Sequence, residues 1–277
     1  MALAFVGAAI AIYAPVLYYM ALHWKAVDDY SHGFLIVPLA LYFAWEKRAE
    51  LARAEIRGSW WGLLPLGLAT FTLTVGRLGV ELMNLRVSFV LTLIGLTLLL
   101  LGRQVFRVLW FPLFFLFLMV PLPQSLVNVV AFPLQLLAAD MAVDVLFWLE
   151  IPALREGNII HLANAQLFVA EACSGLRSLM ALITLGVVFA YFFRKSLVER
   201  AVIVLSAIPI AILVNAFRVA LTGVLTAWYG EKMAGGVIHE TQGLFTFGLA
   251  FLLLLGEAWL LQQGRRLLRR RPPGAPA

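Results

Sequence analysis

Residues 201–223, AVIVLSAIPIAILVNAFRVALTG, decide the fold class of this chain. The stretch holds one ionisable side chain, Arg218, and it is longer than the roughly 20 apolar residues that cross a bilayer as one helix. Similar runs recur along the 277 residues, of which 63% are hydrophobic and 13% charged. Soluble domains are about half apolar and about one quarter charged. The composition therefore excludes a soluble enzyme and predicts a polytopic membrane protein.

The apolar runs predict an all-α integral membrane protein with about eight transmembrane helices and one outer-face segment. The predicted spans cover 4–22, 33–45, 60–76, 87–102, 108–123, 174–193, 201–223 and 241–261. We expect residues 1–264 to form a single polytopic domain and residues 265–277 to form a basic cytoplasmic tail. The first run lacks a small-residue cleavage site, so a retained helix is expected rather than a signal peptide.

Basic residues set the predicted orientation. The connections after spans two, four and six, together with the tail, share one side of an eight-span protein. They carry most of the 21 basic residues: Lys47, Arg48, Arg53, Arg57, Arg103, Arg107, Arg194, Lys195, Arg200, Arg265, Arg266, Arg269, Arg270 and Arg271. Lys and Arg mark the cytoplasmic side. Both termini are therefore expected in the cytoplasm.

The long segment 121–172 is expected on the outer side. Its apolar part, 124–149, is interrupted by four polar residues: Asn128, Gln135, Asp140 and Asp144. This pattern favours an interfacial or re-entrant amphipathic helix over further crossings. Alternation over 158–169 then predicts a short hairpin, which is compatible with a lid over a site and equally with an ordinary loop.

The only cysteine, Cys173, begins span six in the sequence EACSGLRSL at 171–179. A helix N-terminus and the nearby Arg177 both favour a thiolate, which is the nucleophilic form. A lone cysteine is also a common small packing residue. A single cysteine excludes an intrachain disulfide, and no zinc-ligand cluster or nucleotide-binding loop is present, so no cofactor is expected.

Two further polar groups lie at the outer ends of the last two spans. Asn215 and Arg218 share one face of span seven, where Arg218 could stabilise an oxyanion, snorkel to the headgroups or pair with an acid. His239 begins span eight and is either a general acid–base or a surface histidine. Because spans six to eight are consecutive, we expect Cys173, Arg218 and His239 to lie close together.

These motifs resemble those of the exosortase/archaeosortase family of membrane cysteine transpeptidases. The similar stretches are ACSGLRSL at 172–179, NAFR at 215–218 and HETQG at 239–243. In the first loop, DDYSHG at 28–33, followed by Pro38 and Trp45, is similar to the family's amino-terminal signature.

The resemblance implies an enzyme that removes a carboxy-terminal sorting signal of the PEP-CTERM type from exported proteins. Such a signal consists of a short motif such as Pro-Glu-Pro, a transmembrane helix and a basic cluster. Cys173 would form a thioester, His239 would move the proton and Arg218 would stabilise the oxyanion, with Arg177 and Asn215 in auxiliary roles. The expected partners are membrane-anchored proteins and the lipid bilayer, with no nucleic acid.

The expected location is a bacterial inner membrane, with the site facing outward. Transfer to an acceptor is the family expectation, although no residue separates it from hydrolysis. Two other classes compete with this enzyme. A transporter or flippase would use Arg218 at a midplane cavity, but the internal symmetry typical of such proteins is absent. In a non-catalytic scaffold, Cys173 would pack in the core and Arg218 would pair with an acid.

Overall fold

The computed structural model describes residues 2–163, 165–169, 176–193, 196–230 and 236–269. The chain divides into two compact units, Met1–Gln124 and Ser125–Ala277. Both are dominated by helices, as a chain with this hydropathy requires, because only a helix satisfies its own backbone hydrogen bonds in lipid.

Six helices make up the described part of the first unit. They are α1 (Ala2–Ala26), α2 (Gly33–Glu46), α3 (Arg48–Arg53), α4 (Leu63–Leu78), α5 (Leu82–Leu96) and α6 (Arg103–Phe115). The end of α5 continues as a π-helical turn over Thr97–Leu101. At the other end of α5, the Glu81 carboxylate accepts hydrogen bonds from the backbone N–H groups of Met83 and Asn84. This capping satisfies two donors that a helix start otherwise leaves open.

The loop between α1 and α2 is held against the last turn of the first unit. The buried Trp24 donates its indole N–H to the carbonyl of Met119 at 3.0 Å, and the Tyr30 hydroxyl donates to the carbonyl of Leu122 at 3.2 Å. A Cβ atom on Gly33 would overlap the Trp24 ring. Gly33 therefore permits the indole to lie directly on the start of α2.

The second unit combines four helices with a small sheet in its described residues. The helices are α7 (Gln124–Trp148), α8 (Leu176–Phe193), α9 (Leu197–Tyr229) and α10 (Gly236–Arg269), and the strands are β1 (Ala153–Glu156), β2 (Ile159–Leu162) and β3 (Ala165–Phe168). The strands form an antiparallel sheet in the order β1-β2-β3. Ile160 pairs with Arg155 on one side and with Leu167 on the other.

One hydrophobic cluster joins the sheet to α7 and α9. From α7 it takes small residues such as Ala138 and Ala142, from the sheet Ile160 and Leu167, and from α9 Val219. The small α7 side chains allow close approach of the neighbouring backbones. The sheet is thereby fixed beside the part of α9 that carries Arg218.

The prediction of a mostly helical membrane protein is confirmed, but the fold is not all-α. A hairpin is present where 158–169 predicted one, as β2 and β3, and β1 extends it to three strands. Within the described residues, five helical segments are long and apolar enough to span a membrane: Gly7–Ala26, Leu82–Leu101, Gln124–Trp148, Leu197–Tyr229 and Thr241–Gly264. Arg177–Phe192 is a shorter apolar helix. The predicted count of eight spans is not confirmed by this criterion.

The segment 124–149, predicted to be an interfacial or re-entrant helix, is helical and is also long and apolar enough to be a candidate span. Residues Gln124–Trp148 form one continuous helix of 25 residues with a mean hydropathy of 1.8. The polar residues do not break it, because Asn128, Asp140 and Asp144 lie on its exposed side while Ala131, Ala138 and Leu146 are buried. Isolated polar side chains leave the backbone hydrogen bonds of a helix intact, so an interrupted apolar run can still form a single helix.

Candidate functional site

The NAFR and HETQG motifs lie on two helices that pack against each other. Asn215 is buried in the middle of α9, and Arg218 is half-buried three residues further along. A Cβ atom on Gly243 of α10 would lie 3.4 Å from Nη2 of Arg218. The guanidinium of Arg218 therefore lies against the helix that carries His239, at a position where a glycine leaves room for it.

A buried hydrogen-bond network extends from this contact. The Thr222 hydroxyl lies 2.7 Å from Oε1 of Gln242 and 2.8 Å from the carbonyl oxygen of Arg218. The Thr246 hydroxyl donates to the carbonyl of Gln242 at 2.7 Å. Gln242 is only 6% exposed and Thr222 is fully buried. Polar groups buried in this way hold two helices in one register, because any slip would leave them without partners.

Two polar atoms of this buried interface have no hydrogen-bond partner in the part of the chain that the structure describes. They are Nε2 of Gln242 and Oγ1 of Thr226. Thr226 follows Thr222 by one helical turn, so both hydroxyls lie on the same face of α9. Unsatisfied buried polar atoms are uncommon in native proteins and often mark a functional site.

His239 belongs to α10, and its side chain lies outside the described residues. The helix places position 239 three residues before Gln242 and four before Gly243. Residues with these spacings share one helix face. His239 thus stays a predicted site residue on the helix that carries Gln242 and Gly243.

The predicted nucleophile, Cys173, lies outside the described residues, as do Ser174 and Gly175. Arg177 is in the first turn of α8 and is exposed. On the amino-terminal side of Cys173, the last described residue is Val169, whose backbone N–H donates to the carbonyl of Asn158 at 3.0 Å.

The first-loop signature has a structural role within the first unit. The carbonyl of Asp29 lies 3.1 Å from Nδ1 of His32. Burial lowers the pKa of His32, although the backbone carbonyls of Leu118 and Asp29 and the charge of Asp29 act in the opposite direction. Burial, followed by the charge of Asp29, raises the pKa of Tyr30. Both side chains therefore favour their neutral forms near pH 7.

The sequence singled out Arg218 and Asn215 as candidates, but it did not single out Thr222, Thr226 and Gln242, whose side chains are buried between the same two helices. A signal was present, because Arg218, Thr222 and Thr226 recur at four-residue spacing in a mostly apolar helix. Such a polar stripe lies on one helix face and indicates a buried polar contact with a neighbouring helix.

Comparison with protein families gives one result. The model of the transmembrane exosortase family matches residues 24–256, which is most of the chain. The match begins at Trp24, near the end of α1. It includes the NAFR motif, which carries Arg218, and the HETQG motif, which carries Gly243. Comparison with curated proteins finds no match, and neither does comparison with solved structures.

Proposed function

This chain belongs to the transmembrane exosortase family, and we propose that it is a cysteine transpeptidase that removes the carboxy-terminal sorting signal of exported, membrane-anchored proteins. The observation that carries the proposal is the contact of Arg218 with Gly243. It brings together two of the three motifs whose residues the chemistry requires. The third motif contributes Cys173.

The ends of the described chain on either side of Cys173 support its assignment to this site. Val169, four residues earlier, belongs to the hydrophobic cluster that contains Val219 and Ala220. Leu179, six residues later, belongs to the cluster that contains Val214. The described residues on either side of Cys173 in the sequence thus pack against the stretch of α9 that includes Arg218, which supports the proposal that Cys173 acts together with Arg218.

The proposed reaction begins with attack of the Cys173 thiolate on the scissile carbonyl carbon of the substrate. Arg218 stabilises the negative oxygen of the tetrahedral intermediate, where a fixed cation in a water-poor site is most effective. The carbon–nitrogen bond then breaks, and the His239 imidazolium gives its proton to the leaving amine. The product is a thioester on Cys173.

Resolution of the thioester uses the same residues in reverse. An acceptor nucleophile attacks the thioester carbonyl, and His239 takes up the proton that the acceptor loses. The Cys173 thiolate leaves, which regenerates the enzyme. An amine acceptor gives transpeptidation and water gives hydrolysis.

Gln242 belongs to this proposed site through its position beside Arg218. Its amide is held by Thr222 and retains a buried polar atom without a partner among the described residues. A buried amide fixed in this way can take part in hydrogen bonding to a substrate peptide group without reorganising. Asn215, buried on the same helix, would support the position of the Arg218 side chain.

The proposed topology has eight crossings, with both termini in the cytoplasm of a bacterial inner membrane and the site on the outer side. In this arrangement α7 lies along the interface and does not cross. The exposed carboxylates of Asp140 and Asp144 support this, because exposed charges are costly inside a bilayer. A substrate anchored by one helix would then present its scissile bond at the depth of the site.

The test is processing of a secreted reporter that ends in a Pro-Glu-Pro motif, a transmembrane helix and an arginine cluster. Co-expression with the wild-type chain should yield the shortened reporter, and Cys173→Ala should leave only the full-length form. Gly256→Ala serves as a control, since a Cβ atom there meets open space. Unchanged processing by Cys173→Ala, at equal expression, would refute the proposed nucleophile.

A further inference from the structure

Arg86 is a buried cation in the first unit, remote in sequence from the motifs of the proposed site. It is 5% exposed and lies in α5, within the candidate membrane span Leu82–Leu101. Among the described residues it makes no hydrogen bond and no ion pair. A guanidinium carries five N–H donors and stays charged. Leaving it without an acceptor inside a membrane protein is costly.

Two of the polar groups around Arg86 have hydrogen-bond partners elsewhere. Its electrostatic neighbours are His23, Tyr30 and Glu81. The Tyr30 hydroxyl donates to the carbonyl of Leu122. The two carboxylate oxygens of Glu81 accept from the start of α5, at 3.1 Å from the N–H of Met83 and 2.7 Å from that of Asn84. The Tyr30 hydroxyl and the Glu81 carboxylate thus bind other groups and make no hydrogen bond to Arg86.

The position of Arg86 indicates the ligand that would satisfy it. It lies four residues inside the start of α5, which is about 6 Å along the helix axis. Tyr30, in the adjacent first loop, and Trp24, in the last turn of α1, are of the residue types that concentrate at the headgroup level of membranes. Oxyanions available at this depth are the phosphates of the lipids, and a guanidinium binds a phosphate through two parallel hydrogen bonds.

We propose that Arg86, together with the first loop, forms a binding site for the phosphodiester group of a membrane phospholipid. The lipid phosphate accepts hydrogen bonds from the guanidinium, and Tyr30, an electrostatic neighbour of Arg86, lies at the edge of the site. The proposal is independent of the sorting reaction, because every residue in it belongs to the first unit.

The experiment measures phospholipid that stays bound to the full-length chain purified in mild detergent. Native mass spectrometry compares wild type with Arg86→Gln and with Arg77→Gln, an exposed arginine at the end of α4. We expect lipid adducts on wild type and Arg77→Gln, and about a tenfold or greater loss on Arg86→Gln, because charge-assisted hydrogen bonds are removed. Equal adducts on all three proteins would overturn the proposal.

A second measurement uses wild type alone, so that misfolding of a variant has no influence. The delipidated chain is melted with added short-chain phosphatidylethanolamine, phosphatidylglycerol, diacylglycerol or a fatty carboxylate. A rise in Tm with either phospholipid, absent with diacylglycerol and with the carboxylate, supports the site and identifies the preferred headgroup. Stabilisation by diacylglycerol, or an equal effect of the carboxylate, contradicts a phosphodiester site.

Discussion

At the residue scale, the NAFR and HETQG motifs are linked by the packing of the Arg218 side chain beside Gly243. The guanidinium lies where a Cβ atom on Gly243 would be in van der Waals contact with it, so a side chain longer than that of alanine would compete for the same space. A fixed cation acts on an oxyanion only if its position is maintained to a fraction of an ångström. Substitution of Gly243 by larger residues tests whether activity depends on the position of the Arg218 guanidinium.

Replacing Gly243 by leucine should displace the Arg218 side chain and abolish processing of the reporter. Gly243→Ala should be tolerated, because its Cβ atom would contact Nη2 of Arg218 at 3.4 Å, close to an ordinary van der Waals distance. Gly248→Leu, at a position with open space on the same helix, is the control. Reporter processing measures all three, and full activity of Gly243→Leu would contradict the role of this contact.

The Thr222–Gln242 hydrogen bond allows stability to be separated from activity. Thr222→Val removes one partner and should lower the free energy of unfolding by about 1–3 kcal/mol, since it leaves a buried amide oxygen unsatisfied. Adding Gln242→Leu should recover most of that loss, because both partners are then apolar.

Processing by the Thr222→Val/Gln242→Leu double variant should remain impaired if Gln242 contributes to the site. Thermal melting in detergent gives the stability, and the reporter gives the activity. A stable double variant with full activity would reduce Gln242 to a purely structural residue.

At the element scale, the sheet and α7 provide the support from which the chain runs toward Cys173. Ile160 is completely buried in the cluster shared with α7 and α9. By contrast, the ion pair of Arg155 with Asp140, at 2.8 Å, is largely exposed on the Asp140 side. Burial and not the ion pair should dominate the stability of this region.

Ile160→Ala should therefore lower the free energy of unfolding by about 2–5 kcal/mol. Arg155→Gln should cost less than about 1 kcal/mol, because exposed ion pairs contribute little. Phe168→Ala, at an exposed position of β3, is the matched control for loss of a large side chain. Thermal melts of the three variants check the order, and a larger effect of Arg155→Gln than of Ile160→Ala would contradict it.

The first loop should show an acid-sensitive stability that depends on His32. Its pKa is lowered in the folded protein by burial, so the unfolded chain binds a proton more readily. The contribution to stability is complete above the unfolded pKa of about 6.5 and is lost as pH falls through the lower, folded pKa. Tm measured from pH 8 to pH 5 should fall less for His32→Gln than for wild type. Identical pH profiles would contradict this assignment.

At the scale of the whole molecule, hydropathy predicted the fold class and the order of the motif-bearing helices, because bilayer thickness imposes long apolar segments. It did not predict which side chains face each other. The Thr222–Gln242 pair depends on the rotation and register of α9 and α10, which apolar content alone does not determine. Strands as short as Ala153–Glu156 carry too few residues for a clear alternation, so the third strand was missed.

The path of α7 sets the orientation of everything that follows it. The Cys173→Ala background has no other cysteine, so single cysteines can be introduced and labelled with a membrane-impermeant thiol reagent. With eight crossings, Ala163→Cys beside β3 should react from outside, and Ala52→Cys in α3 should react only after the membrane is opened. Protection of both positions in intact cells would mean that α7 crosses the bilayer.

The central claim is that the chain forms a thioester with its substrate through Cys173. The most direct measurement is the mass of the purified chain after reaction with the reporter in the absence of an acceptor. We predict a covalent species that carries the mass of the cleaved reporter, that maps to Cys173 and that hydroxylamine releases. Processing of the reporter with no adduct on Cys173, or an adduct that persists in Cys173→Ala, would contradict the account.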